Sequence, residues 1–292
     1  MFRKTGSDSS VQAIKTLIKS EMGRIAGGAI LAITGIFSGA VTTPALACEE
    51  TLVVAYQGSD AGKLTIAVND VVLLRDNPGS FANFVVPSLL LEGENTLRVR
   101  LVADEAAADT EGQPSAKAEV FNACQGTFPE APGQNPDVIG EISLDKAGEM
   151  VIPFRISGLP AYGYLSAEPS DDAGLLEAIA RLRKAASDGD IAEYMTYLTP
   201  LKNDLVTIEG MPADLLEGMA NDLLGGDYKV SDPGELSLHP VIGGRAYQVA
   251  TAGGDGPLIF EPKDPGNQDL LDKLAQAGIW IKTDAGWKIL RH

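Results

Sequence analysis

The chain has 292 residues, with 23 Lys and Arg against 40 Asp and Glu, and a formal charge of −17 at neutral pH. That balance repels nucleic acid and anionic lipid headgroups, so neither is an expected partner. With two histidines and two cysteines in all, a three-His zinc site and a cysteine cluster are excluded, and no metal or cofactor is expected.

Residues 1–24 carry Arg3, Lys4, Lys15, Lys19 and Arg24 against Asp8 and Glu21. Ile25 to Ala47 then runs without a charge and closes on Ala45-Leu46-Ala47. A basic region, an apolar region and an Ala-x-Ala end predict a secretory signal peptide over 1–47. The stretch from Met22 makes a compact signal peptide by itself, so Met22 is a candidate true start. Gly27, Gly28, Gly35 and Gly39 make this a poor permanent span, although its length leaves an uncleaved anchor open. Export to the periplasm or the medium is expected, with no membrane span after cleavage.

Cys48 follows the cleavage site, and Cys124 is its one possible mate. Two cysteines in an exported chain most simply form a disulfide. The alternative is a lipid on Cys48, for which Leu46 and Ala45 stand in reversed order.

Removing five basic and two acidic residues with the signal peptide leaves a more acidic chain of about 245 residues, one large domain or two small ones. Residues 48–157 read as β-strands. "KLTIAVND" sets Leu64, Ile66 and Val68 against Lys63, Thr65 and Ala67. "NTLRVRLVA" sets Leu97, Val99 and Leu101 against Thr96, Arg98 and Arg100, with one face buried and the other wet. With "TLVVAY", "FANFVVP", "AKAEVFNAC" and "EMVIPFRIS", six or seven strands are expected, and an all-β sandwich. The Pro/Gly-rich run 125–137 reads as a loop between the last two strands, and 158–172 as the domain linker.

From residue 173 the period becomes helical. Leu175, Ile179 and Leu182 share a face, and Asp190 with Glu193 makes a cap before "IAEYMTYL". Pro212 opens a third helix that Gly225-Gly226 stops. Strands follow at "RAYQVATA", "PLIFEP", "IWIKTD" and "GWKILRH". The run 253–256 is expected to join the first two as a hairpin, and 267–277 to form a short helix. Residues 173–292 thus predict an α+β domain.

Two runs here, "ASDGDIAEYMTYLTP" and "IWIKTDAGWKILRH", resemble the nuclear-transport-factor-2-like superfamily of cystatin-like fold. The resemblance implies a cone of helices on a curved antiparallel sheet enclosing a pocket. Its members include cofactor-free isomerases and dehydratases as well as non-catalytic proteins. "LLLEGENTLRVRLV" resembles a turn and strand of galactose-binding-like or immunoglobulin-like accessory domains.

No His-Glu-x-x-His, Gly-x-Ser-x-Gly, Walker or Gly-x-Gly-x-x-Gly run occurs, so no catalytic constellation is legible. Tyr194, Tyr197, Tyr247, Phe260, Trp280 and Trp287 are candidate walls of an apolar pocket, with core packing as the competing reading of each. His239, beside Pro240, reads as a surface or structural histidine. Glu261, at the end of an apolar strand, is the one weak candidate for a catalytic base. The acidic run with Asp104, Glu105, Asp109 and Glu111 lacks calcium-loop spacing and reads as a solvated loop. The expected function is a non-enzymatic binding or accessory protein of the bacterial envelope, holding a small apolar ligand or a segment of an envelope protein. The alternative is a cofactor-free acid–base enzyme, an isomerase, dehydratase or hydrolase, using a pocket carboxylate and a tyrosine.

Overall fold

A computed structural model describes residues 50–77, 81–105, 112–124, 127–264, 266 and 273–291. The expected signal peptide, Cys48, Asp109 and Glu111 lie outside the described residues, as does the first half of the helix expected at 267–277.

The described strands of the N-terminal half pair antiparallel throughout. Its strands are β1 (Glu50–Gly58), β2 (Gly62–Val68), β3 (Val71–Asn77), β4 (Phe81–Val85), β5 (Gly93–Ala103), β6 (Ala116–Cys124), β7 (Val138–Leu144) and β8 (Gly148–Ile156). They form two four-stranded sheets, ordered β4-β1-β6-β7 and β3-β2-β5-β8. One core lies between them: Val54, Tyr56, Ala118, Val120 and Ile142 from the first sheet meet Leu64, Ile66, Leu97, Val99, Leu101 and Phe154 from the second. The period of two read in β2 and β5 places these side chains inward.

Eight strands exceed the six or seven expected. The loop 125–137 leads into β7, a strand not foreseen, and β8 follows it. Val138 and Ile139 are partly solvent-facing at this edge, so β7 lacks a strong apolar signature. The loop is not loose. Glu119, fully buried on β6, accepts from the Gly133 N–H at 2.7 Å and from Asn135 Nδ2 at 2.5 Å.

Among the described residues, the C-terminal half has four α-helices: α1 (Leu175–Asp188), α2 (Ile191–Tyr197), α3 (Thr199–Thr207) and α4 (Leu215–Gly225). Leu175, Ile179 and Leu182 are buried as their spacing requires. The Glu193 N–H donates to Asp190 Oδ1 at 3.0 Å, which satisfies one of the amides a helix start leaves unpaired. The helix α3 was not expected. Pro212 stands outside α4, two residues before its cap Asp214, and its carbonyl accepts from Leu215 N at 3.1 Å.

The remaining strands are β9 (Tyr228–Ser231), β10 (Leu236–Val241), β11 (Ala246–Thr251), β12 (Leu258–Pro262), β13 (Leu274–Gln276), β14 (Ile279–Thr283) and β15 (Gly286–Arg291). They form two antiparallel sheets, β10-β11-β14-β15 and β13-β12-β9. The expected β11–β12 hairpin is therefore not a hairpin. Residues 252–255 close a turn, with Thr251 N donating to Asp255 O at 2.9 Å, but the two strands then enter different sheets. The described part of the expected helix is strand β13, whose Leu274 stands opposite Phe260. Ala277, at φ 63°, breaks the chain between β13 and β14, so each pairs with a different sheet.

The halves share a third core. Val71 and Leu89 pack with Val241, Ile242, Ala246, Ile279, Ile281 and Leu290, together with Tyr162 and Tyr164 of the segment read as a linker. That segment is anchored along its length. Leu159 N donates to Glu92 Oε1 at 2.6 Å, the Tyr164 hydroxyl to Leu90 O at 2.6 Å, and Arg245 Nη1 to Ala167 O at 2.5 Å. A free tether leaves its aromatics in water. Here two tyrosines are buried where the halves meet.

Candidate functional site

The two-residue turn between β2 and β3 begins the site. Asn69 and Asp70 both have positive φ, 48° and 68°, as a tight hairpin turn between right-twisted strands demands. Asn69 is 6 % exposed. Its Nδ2 donates to Leu89 O at 2.9 Å and to Asn95 Oδ1 at 2.7 Å, and its Oδ1 accepts from Thr96 N at 3.0 Å. Its carbonyl accepts from Ile242 N in the other half at 2.9 Å. The turn thus fixes the second N-terminal sheet against β10 and β11.

The outer face of that sheet and β10 enclose an open groove of about 540 Å³. Its floor is Thr65 and Ala67 on β2. Arg75 on β3 stands on one side, with Arg98 and Arg100 on β5 on the other, and His239, Pro240 and Gln248 form the wall from the C-terminal half. The cross-strand register explains the grouping: Thr65 stands opposite Arg100 and Ala67 opposite Arg98, while Arg100 faces Glu149 on β8. Residues two apart on a strand share a face about 7 Å apart, so both β5 arginines point outward. Arg98 Nη2 is bound to Asp70 Oδ1 at 2.6 Å. Among the described residues, neither Arg75 nor Arg100 forms an ion pair within 4.0 Å. Three guanidinium groups in one groove of an acidic chain are a local reversal of charge, and the planar fork of arginine suits oxyanions. No described group of His, Cys, Asp and Glu has the makings of a metal site.

The six aromatics named from the sequence are brought together, as a packed cluster. Tyr194, Tyr197, Tyr247, Phe260, Trp280 and Trp287 are each at most 8 % exposed and belong to the core between the helices and the C-terminal sheets. Their polar atoms are engaged. Trp280 Nε1 donates to Ala277 O at 2.5 Å, Trp287 Nε1 to Ala173 O at 2.9 Å, and the Tyr247 hydroxyl to Ser170 O at 3.1 Å. Burial pushes the Tyr194 phenol up to about 12, so it stays protonated and donates to Gln276 Oε1 at 3.3 Å. Tyr197 and Trp287 also border a second, smaller cleft of about 280 Å³. Its charges are largely occupied: Arg181 binds Glu177 at 2.5 Å, and Lys288 Nζ lies 5.2 Å from the Tyr197 ring centre.

Glu261 lines neither cleft. It stands opposite Lys229 on β9, accepts from Ser231 Oγ at 2.6 Å, and its side chain is 44 % exposed. His239, read as a surface residue, is exposed as read, but on the groove wall.

The groove residues Arg75, Arg98, Arg100, Asp70 and Gln248 were not singled out in the sequence. The Leu-Arg-Val-Arg-Leu alternation shows that Arg98 and Arg100 share an outer face. It does not show that a second half of the chain covers that face.

Comparison with protein-family models, with curated proteins and with solved structures finds no match to this chain.

Proposed function

We propose that the chain is an exported, non-enzymatic binding or accessory protein of the bacterial envelope, whose ligand or partner segment occupies the groove between its halves. The observation that carries this reading is the joint construction of the groove. Strands β2, β3 and β5 supply floor and cations, β10 and β11 supply the wall, and a continuous apolar core holds the two together. Pockets of 300–1,000 Å³ at such junctions are the usual seats of small ligands. Export rests on the sequence of residues 1–47 alone.

The N-terminal sheet pair, with a shared core between its two sheets, supports the accessory β-sandwich reading. Four helices, then two sheets hinged at Ala277, support the cone that the nuclear-transport-factor-2-like resemblance implies. The packing of the six aromatics moves the proposed ligand site from the interior of that cone to the groove. The enzymatic alternative has no comparable support, because Glu261 sits between Lys229 and Ser231 away from both clefts.

Hydrogen exchange of the exported chain tests this, before and after addition of small-molecule and peptide fractions from the host envelope. Protection concentrated in β3, β5 and β10 is the expected result. Protection elsewhere, or none with any fraction, overturns it.

A further inference from the structure

We infer that the groove binds a small organic acid, with one carboxylate held between Arg75 and Arg100 above Thr65 and an uncharged body lying along Ala67, Val72 and Pro240. This rests on the reading of the groove as the ligand site.

Charge selects the ligand. Arg98 already carries Asp70 at 2.6 Å. Among the described residues, Arg75 and Arg100 carry no such partner, and they rise from the two strands that flank β2. Thr65, opposite Arg100 on β2, adds a hydroxyl donor. Two forked cations and a hydroxyl lining one groove are the donor set that suits a planar oxyanion. The lining holds three arginines against two carboxylates, Asp70 and Glu149, an excess of one positive charge among its arginines and carboxylates. Glu149 stands opposite Arg100 and repels a second negative charge there. The chain as a whole, at −17, repels a dianion twice as strongly as a monoanion. Discrimination against phosphate thus comes from repulsion as well as from fit.

The walls select the rest of the molecule. Ala67, Val72 and Pro240 offer apolar surface, and the Gln248 amide is occupied by Val72 at 2.9 and 3.0 Å. What remains is apolar surface that shares the groove with the cations. A groove of this size accepts a compact molecule.

Calorimetric titration of the full exported chain with acetate, hexanoate, benzoate, neutral benzamide and inorganic phosphate is the test. Benzoate or hexanoate should saturate one site, at least ten-fold more tightly than acetate, benzamide or phosphate. Arg100→Gln and Arg75→Gln should each weaken that binding at least ten-fold, with unchanged circular dichroism as the check on folding. Glu149→Gln should improve phosphate binding several-fold. Benzamide binding as well as benzoate overturns the carboxylate while leaving the groove as ligand site. Saturable benzoate binding indifferent to both arginine variants removes the groove as well. No saturation by any of the acids up to about 10 mM, an affinity below some 3 kcal/mol, overturns the inference, and groove protection in the exchange experiment then shows whether another ligand class is bound.

Discussion

Gln248 and Val72, 176 residues apart, exchange two hydrogen bonds: Val72 N donates to Gln248 Oε1 at 2.9 Å, and Gln248 Nε2 donates to Val72 O at 3.0 Å. A side-chain amide here does what a neighbouring strand does, since β3 is the edge of its sheet. Unpaired edge groups invite pairing with another chain. The glutamine closes that edge and fastens β11 to it in one step.

Gln248→Leu should therefore destabilise the protein by about 1–3 kcal/mol, the cost of leaving a partly buried N–H and C=O without partners. Urea unfolding should show a lower midpoint at unchanged slope if both halves still unfold together. Two separate transitions would show that the amide, more than the shared core, couples them. A midpoint equal to wild type would mean that water replaces the amide without loss.

Asn69 is the second fastener, and its loss should be larger. Asn69→Ala removes the side-chain bonds to Leu89 O, Asn95 Oδ1 and Thr96 N and leaves alanine at φ 48°, where non-glycine residues are strained. The buried Asn95 amide loses a partner with it. About 2–4 kcal/mol is expected from an unsatisfied buried network plus strain. Asn69→Gly relieves the strain alone, so the difference between the two variants in thermal or urea unfolding measures it. Equal stabilities would show that φ at this position carries no penalty.

Strands β2 and β5 of the N-terminal half were legible because their inward faces alternate with outward polar or small residues. Leu64, Ile66 and Val68 and then Leu97, Val99 and Leu101 are all buried. The helix start at Asp190 was legible because a cap is a local event. Strand β13 was not, because "LLDKLAQAG" has helical spacing and helix-forming residues. Its pairing with β12 is a tertiary contact that outweighs local propensity. The split of the C-terminal sheet was hidden for the same reason: it depends on Ala277 adopting positive φ without a glycine to mark it. The groove was half legible. The sequence put Arg98 and Arg100 on one outer face, but Arg75 joins them from the strand on the other side of β2, and His239 joins them through packing between residues far apart in the chain. The aromatics show the opposite failure. Clustering in sequence looked like a pocket lining, while six such side chains fill the volume they enclose.

The proposed Cys48–Cys124 disulfide has a geometric argument in the register of β1. Glu50 stands directly opposite Cys124, which brings the chain two residues after Cys48 to the end of β6. Intact mass of the protein from its host should rise by about 2 Da on reduction, as breaking one S–S bond requires. Cys124→Ala should cost about 2–4 kcal/mol, since the bridge closes a long loop of the unfolded chain. A mass carrying a diacylglycerol and a fatty acid would instead establish the lipid-anchored alternative.

Asp204 should contribute a stability that falls with rising pH. It lies on α3 at 3 % exposure, with Oδ1 accepting from Gly163 N at 3.1 Å and Arg291 Nη2 3.8 Å from Oδ2. Arg291 is shared with Glu209 at 3.3 Å, and Oδ2 has no hydrogen bond among the described residues. Burial raises the carboxyl above its ordinary value, more than the Gly163 N–H and Arg291 lower it. The folded state then holds a proton that the unfolded state has released. Between the ordinary carboxylate value and the raised one, each increment of pH costs stability, and above the raised value that cost is complete. Asp204→Asn keeps an oxygen for the Gly163 N–H and removes the buried charge. Its unfolding free energy, measured from about pH 4 to pH 7, should slope less steeply downward than that of the wild type, so the variant gains relative stability as pH rises. The opposite trend, with the variant losing ground toward neutral pH, would mean that the attraction to Arg291 outweighs burial and that Asp204 is an ionised anchor for the end of β15.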